Sequence, residues 1–285
     1  MKNPRGCVFV QFSLTTVSIE WGDEASRHLV SVITESLFCV QPVLVNNILR
    51  IHRDTVSNDF VIFRNNSFVL RNNDAAIALY SIIKQMMDII ISSESSRALI
   101  HSGLVSKRQY GVLLAGDSGS GKTTLTSLLC LKGWKYHSDE LVSITDDNTS
   151  WEGFSRPLCL KKGWNTILQK LVSTPYYTIP KNEITIMPSA SVFRDVGDSC
   201  RYTKPGVIIF VDYKPGCHAQ LELVKKAASA LRLSSMLMNS ASIDRNIVST
   251  VSGIARTVPS YLLTYSSSSD IDNIDMLFNQ LFACP

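Results

Sequence analysis

The sequence predicts an α/β protein: a mixed-direction sheet built around a phosphate-binding loop, preceded by a smaller α+β region. Three observations predict it. Gly116 to Thr123 read G-D-S-G-S-G-K-T, the pattern G-x-x-x-x-G-K-[ST]. Tyr110 to Ala115 form an apolar run of strand length ahead of it, and Thr124 to Leu131 behind it are helix-forming and stop at Gly133. Short strand-like and helical segments alternate along the remaining chain.

Taken in order, Val8 to Phe12 and Thr16 to Trp21 alternate as strands, and Ala25 to Phe38 has helical character. Asn47 to His52 reads as extended. Phe60 to Phe63 and Phe68 to Leu70 flank Arg64-Asn-Asn-Ser67, a hairpin turn. Asn73 or Asp74 can cap a helix from Ala75 to about Ile91, with Ile82, Met86, Ile89 and Ile90 on one face. Ser92-Ser-Glu-Ser-Ser96 interrupts the pattern and predicts a boundary, giving an N-terminal region 1–95 and a phosphate-loop domain 96–285. Beyond it, Ala98 to His101 and Tyr110 to Ala115 read as strands, as do Lys135 to Ser138 and Leu141 to Ile144, with Asp139-Glu140 between. Residues 146–153 read as a polar loop. Leu158 to Leu160 predicts a strand, Trp164 to Leu171 a short helix, and Ile184 to Met187 an extended stretch in a turn-rich segment. Val207 to Val211 is a buried strand. Val224 to Asn239 and Ile243 to Ile254 are helical, Tyr261 to Tyr265 is a strand, and Asp270 caps a last helix through Phe282.

Composition narrows the function classes. The 285 residues are 45% hydrophobic, enough to bury a core, and 18% charged, with a net charge of +4. No basic block interleaves with aromatics, which argues against nucleic acid as a partner. The most apolar segment, Ile82 to Ile91, is interrupted by Lys84, Gln85 and Asp88, so no membrane partner is expected. The first residues lack the apolar centre of a signal peptide, and seven scattered cysteines without a C-x-x-C pair fit reduced thiols, so a cytoplasmic location is expected.

The loop supplies the chemistry. Glycines let the backbone from Gly116 through Asp117, Ser118, Gly119, Ser120 and Gly121 curl so that N–H groups point inward, and a helix starting near Lys122, Thr123 and Thr124 adds partial positive charge. Lys122 can reach β- and γ-phosphates, and the Thr123 hydroxyl suits Mg²⁺. Phosphoryl transfer also needs a metal carboxylate and, for a hydroxyl acceptor, a base. Two places compete on pattern alone: Asp212, at the end of the strand Val207 to Val211, and the adjacent pair Asp139 and Glu140.

Ile100-His-Ser-Gly103, the loop with its flanks, and Gly133-Trp-Lys-Tyr-His-Ser-Asp-Glu140 together resemble the HPr serine kinase/phosphorylase family, over 98–145 closely and 96–265 loosely. The resemblance implies an HPr kinase/PEP carboxykinase-like fold, with Asp139 as catalytic base, Glu140 helping to hold Mg²⁺, and His101 near the transferred phosphate. The family has aspartate where this chain has Glu140, and usually serine where it has Thr123. Its arginine-bearing C-terminal signature has no clear counterpart. Arg194 and Arg201 are the candidates for acceptor or phosphate contacts. That difference points away from HPr and towards the divergent lasso-peptide precursor kinases, which act on a C-terminal serine.

The expected function is therefore Mg²⁺- and ATP-dependent phosphorylation of a serine on a peptide or small protein, with homo-oligomerisation permitted. Three rivals stand beside it: a kinase for free serine or a sugar, a non-catalytic nucleotide-binding module, and a nucleotide hydrolase acting as a switch. GTP in place of ATP is left open, because base recognition lies outside the loop.

Overall fold

The computed structural model describes residues 5–41, 45–145, 147–161, 176–193, 196, 201–239, 245–266 and 270–282. The chain forms two compact units, 1–94 with 156–198, and 95–155 with 199–285. It opens in the first unit with β1 (Gly6–Phe12), β2 (Thr15–Trp21), α1 (Glu24–Thr34), β3 (Cys39–Val40), β4 (Ile48–Arg53), β5 (Phe60–Arg64), β6 (Ser67–Asn72) and α2 (Ala75–Ser93). The second unit begins with β7 (Ala98–Lys107), β8 (Tyr110–Ala115), α3 (Lys122–Leu131), β9 (Lys135–Ser138), β10 (Leu141–Ile144) and β11 (Trp151–Gly153). The chain returns to the first unit for β12 (Leu158–Leu160), β13 (Tyr177–Ile179), β14 (Ile184–Met187) and α4 (Ser189–Val192). It ends in the second with β15 (Tyr202–Tyr213), β16 (Gln220–Leu223), α5 (Lys226–Ser235), α6 (Arg245–Thr257), β17 (Ser260–Tyr265) and α7 (Ile271–Leu281).

In the first unit a six-stranded mixed sheet has the order β3-β1-β2-β4-β5-β6, with β2 and β4 parallel across α1 and the other neighbours antiparallel. Asn65 and Asn66 join β5 to β6 with φ of 47° and 69°, the left-handed pair that a two-residue hairpin with native strand twist requires. Asp74 caps α2 by accepting from the N–H groups of Ala76 and Ile77 at 2.7 and 3.3 Å. α2 is long and apolar enough to cross a membrane, with a mean hydropathy of 1.5 over its most apolar window. Here it serves as a core helix: Leu79, Ile82, Ile83, Met86, Ile89 and Ile90 are buried, and it packs on β2, β5 and β6.

The contiguous division 1–95 and 96–285 is corrected for residues 156–198. β13 packs against α2, the backbone N–H of Ala190 donates to the Ser36 hydroxyl at 2.8 Å, and β12, β14 and β13 make a separate three-stranded sheet. Other departures are local. The helix expected to Phe38 ends at Thr34, the short strands β11 and β13 stand in segments predicted as loop or turn-rich, and β16 stands where no element was predicted. Strands this short are held by pairing more than by their own propensity. The Asp270 carboxylate accepts from the N–H of Ser266 at 3.2 Å and makes no cap to α7. The helix expected at Trp164 to Leu171 lies outside the described residues.

In the second unit the sheet runs β11-β10-β7-β8-β15-β17-β16, with β9 also pairing with β7 and β11 also with β15. β8, β15 and β17 are parallel neighbours; β7, β10 and β16 join antiparallel, so the sheet is mixed. Every residue of β8 after Tyr110 is buried, as befits a central strand covered on both faces. Ile100, Leu113, Trp151, Ile208, Phe210, Leu233, Val251 and Ile254 belong to the core that covers it.

Candidate functional site

The loop leaves the C-terminal end of β8, where β15 runs alongside with Phe210 opposite Ala115. Gly116 is therefore pressed against β15: a Cβ there would lie 2.8 Å from both the Val211 carbonyl oxygen and the Ser120 hydroxyl. The Ser120 N–H donates to the Asp117 carbonyl at 3.1 Å and closes a turn, while Asp117, Ser118 and Gly119 are exposed. Gly121 starts α3 with φ of 91°, a left-handed conformation suited to glycine, and offers no side-chain cap. The first N–H groups of α3 lack partners within the helix, and the helix dipole concentrates positive potential there. Thr123 and Thr124, on this first turn, are half-buried.

Lys122 is 5% exposed, and its Nζ donates to the carbonyls of Gly116 and Asp117 at 2.7 and 2.9 Å. The ammonium thus lies across the loop. The Ser120 hydroxyl is buried with no hydrogen-bond partner among the described residues. An uncapped helix start, an inward lysine and an orphaned hydroxyl are together what a phosphate chain would satisfy. These residues fit a nucleotide triphosphate.

The acidic turn reaches the same neighbourhood through β7. β9 pairs with β7, Leu104 opposite Ser138, and β10 pairs with it next, Leu141 opposite His101. Gly103 lets α3 approach β7 closely, since a Cβ would lie 2.4 Å from the Thr126 hydroxyl. The turn between β9 and β10 is held by the buried Ser138 hydroxyl, which accepts from the N–H groups of Glu140 and Leu141 at 3.2 and 3.0 Å. Asp139 is 1% exposed and accepts from the Tyr136 hydroxyl at 3.1 Å. Glu140 is more open, its side chain 31% exposed, and His101 Nδ1 lies 3.4 Å from its carboxylate and 3.1 Å from its carbonyl oxygen.

His101 reports the convergence. Burial lowers its pKa below the usual 6.5, the Lys122 charge pushes the same way, and Glu140 and Asp139 push back. Its imidazole is thus biased towards the neutral form, among the charges of Lys122, Glu140 and Asp139. Lysine, histidine and two carboxylates, drawn from three segments of the chain, share one site.

Asp212, the competing carboxylate, also flanks the loop, two residues beyond Phe210 on β15, and is half-buried with Lys214 Nζ at 2.8 Å. Among the described residues no three His, Cys, Asp or Glu side chains cluster to hold a metal by themselves. Mg²⁺ at such loops is held largely by phosphate oxygens, with one hydroxyl and one carboxylate from the protein. Arg201 requires a correction. It stands before β15 starts, at the other end of that strand from Asp212, and its Nε donates to the buried Glu152 at 2.8 Å while its guanidinium stacks 4.9 Å over Tyr202. It braces β11 and makes no approach to the loop. Arg194 lies outside the described residues.

Three positioning groups escaped the sequence reading. Tyr136 and Ser138 hold the acidic turn, and Ser138 carries a faint signal, a serine two residues ahead of the N–H it caps. Tyr265, at the end of β17, donates its hydroxyl to the Gly121 carbonyl at 3.2 Å and fills the space a Cβ on Gly121 would need. Nothing in the sequence links it to the loop.

No protein-family model and no curated protein matches the chain. Among solved structures it is similar to the Hpr(Ser) kinase/phosphatase from Coxiella burnetii, at 12% identity and a TM-score of 0.33, covering 64% of this chain and 94% of that one. At that score the reading of the site rests on the site's own geometry.

Proposed function

We propose that the chain is a Mg²⁺- and ATP-dependent kinase that phosphorylates a serine hydroxyl of a peptide or small protein, such as the C-terminal serine of a lasso-peptide precursor. The observation that carries this is the register that sets Ser102 opposite Ala115, the residue before the loop, while the Ser102 N–H donates to the Glu140 carbonyl at 3.2 Å, so that the acidic turn and the Lys122 loop lie at one end of the sheet beside His101. A loop alone binds a nucleotide; a carboxylate pair beside it adds a metal ligand and a proton acceptor.

In this reading the loop N–H groups and Lys122 hold the phosphates. Thr123 and Glu140 would hold a Mg²⁺, and the ion would supply neutralisation of charge on the transferring group. Asp139 would take the serine proton as the hydroxyl oxygen attacks the γ-phosphorus and the bond to the departing ADP oxygen breaks, while His101, its Nδ1–H turned to the Glu140 carbonyl, would line the space beside the transferred phosphate. A buried Asp139 suits a base that works only once the acceptor has displaced water, with Tyr136 setting the carboxylate's orientation.

The test is transfer from labelled Mg²⁺-ATP to a panel of serine-terminated peptides, free serine and sugars. Peptide phosphorylation is expected. Asp139→Asn should lower kcat by about 100-fold or more while sparing ATP affinity, the scale of a lost general base. Glu140→Gln should raise the Mg²⁺ requirement, and Lys122→Ala should weaken both ATP binding and transfer. Full turnover by Asp139→Asn would remove it as base. A raised Mg²⁺ requirement in Asp212→Asn, with none in Glu140→Gln, would move the metal to β15. Labelling of free serine or a sugar alone would favour the small-molecule kinase, and tight ATP binding without transfer to any acceptor would favour a regulatory module.

A further inference from the structure

A second polar cleft, of about 320 Å³, opens in the second unit. It lies at the end of the sheet opposite the phosphate loop. Arg108 and Gln109 make the turn from β7 into β8, and the loop begins only after the six residues of β8, roughly 20 Å at about 3.3 Å per residue.

The cleft is built for negative charge. Arg108, Lys135 and Lys204 line it, and no Asp or Glu is among its described lining residues. The three cations make no ion pair among the described residues. Glu152, whose charge reaches Tyr202 on the cleft wall, is held by Arg201 at 2.8 Å and Arg97 at 3.8 Å, so it does not offset them. Ser106 and His137, each 2% exposed, supply a polar lining, with the serine hydroxyl 2.7 Å from the imidazole Nε2. Arg108 has φ of 57°, a left-handed conformation that glycine or asparagine adopts at much lower cost in a two-residue hairpin. The chain accepts that strain and keeps a guanidinium at the cleft.

We propose that this cleft binds a small phosphate-bearing anion at a site separate from the nucleotide loop. A guanidinium fork flanked by two ammonium groups matches phosphate oxygens, and clustered cations beside a low-dielectric wall raise the local anion concentration. The volume suits a small molecule. Lys135 and His137 stand on β9, the strand that continues into Asp139 and Glu140, so an anion gripped here ties down the support of the acidic turn. The site stands whether or not the loop transfers phosphate.

The experiment titrates the full chain with inorganic pyrophosphate by calorimetry, in the Lys122→Ala background so that the loop does not compete. Saturable binding is expected, falling at least about tenfold in Arg108→Gln/Lys204→Gln, the scale of lost charge-assisted hydrogen bonds. Arg108→Gly separates binding from folding: it should leave the unfolding midpoint equal or higher, because glycine relieves the left-handed strain, and still weaken pyrophosphate. Two results overturn the proposal: no saturable heat in the Lys122→Ala protein, or affinity unchanged in both Arg108 variants.

Discussion

Tyr265 braces the loop from a distant strand. Its hydroxyl bonds the Gly121 carbonyl at the start of α3, and burial pushes the phenol far above its usual pKa, so it stays protonated and a donor. Tyr265→Phe removes the donor and keeps the ring. It is expected to cost about 1 kcal/mol of stability and to weaken nucleotide binding, read by urea unfolding and by titration with Mg²⁺-ATP. Unchanged nucleotide affinity would show that the loop holds its shape without the brace. His101 supports a second expectation at this scale. Its folded pKa lies below the usual 6.5, so the folded state binds fewer protons than the unfolded state in the window beneath that value. The stability it contributes is present above about pH 6.5 and is lost as pH falls through 6.5 towards the folded value. His101→Asn should flatten the pH dependence of unfolding in that window, measured by denaturant titration between about pH 5 and 8.

At the scale of elements, strongly patterned segments were legible; of the short strands, β9, β10, β12 and β14 could be read, and β3, β11, β13 and β16 could not. β8, its loop and α3 could be read directly because a buried apolar run, a glycine-bearing turn and a glycine-terminated helix each leave a local mark. Gly133 has φ of 88°, and its N–H and that of Trp134 close on the carbonyls of Cys130 and Leu129, which ends α3 where the sequence places its stop. α2 was legible from its apolar stripe and the Asp74 cap. Asp74→Ala should cost about 1 kcal/mol, the usual worth of a lost N-cap, with ATP affinity unchanged because the cap lies in the other unit. A thermal shift with matched nucleotide titrations checks both halves. β11, β13 and β16 carry three or four residues each and owe their existence to their partners, β10 and β15, β14, and β17.

For the whole molecule the departure from the sequence reading is the discontinuous first unit. Residues 156–198 belong with the first unit, β13 packing on α2 and Ala190 donating to Ser36 just past α1, although the chain has by then built half of the second unit, and no compositional shift marks either crossing. Closing such a long excursion costs little more entropy than closing a short one, so buried area at the destination decides it. Cutting the chain at residue 95 should therefore leave 156–198 without their packing partners. A fragment of residues 96–285 is expected to bind a hydrophobic dye and unfold less cooperatively than the full chain. A sharp, dye-free transition would show that 156–198 fold without the N-terminal residues.

By itself the sequence determined what acts over a few residues: the glycine-bearing loop, the lysine at its lip, the helix that follows and its stop. These rest on backbone preference and hydrogen bonding within a turn or two. Only the tertiary structure decided which distant groups meet the loop. Strand order carries His101, Asp139 and Glu140 to Lys122 through β7, sets Asp212 at the neighbouring strand end, ties Arg201 to Glu152 at the far end of β15, and brings Tyr265 under Gly121. Such meetings depend on register and crossover across tens to more than a hundred residues, and spacing along the chain does not encode them.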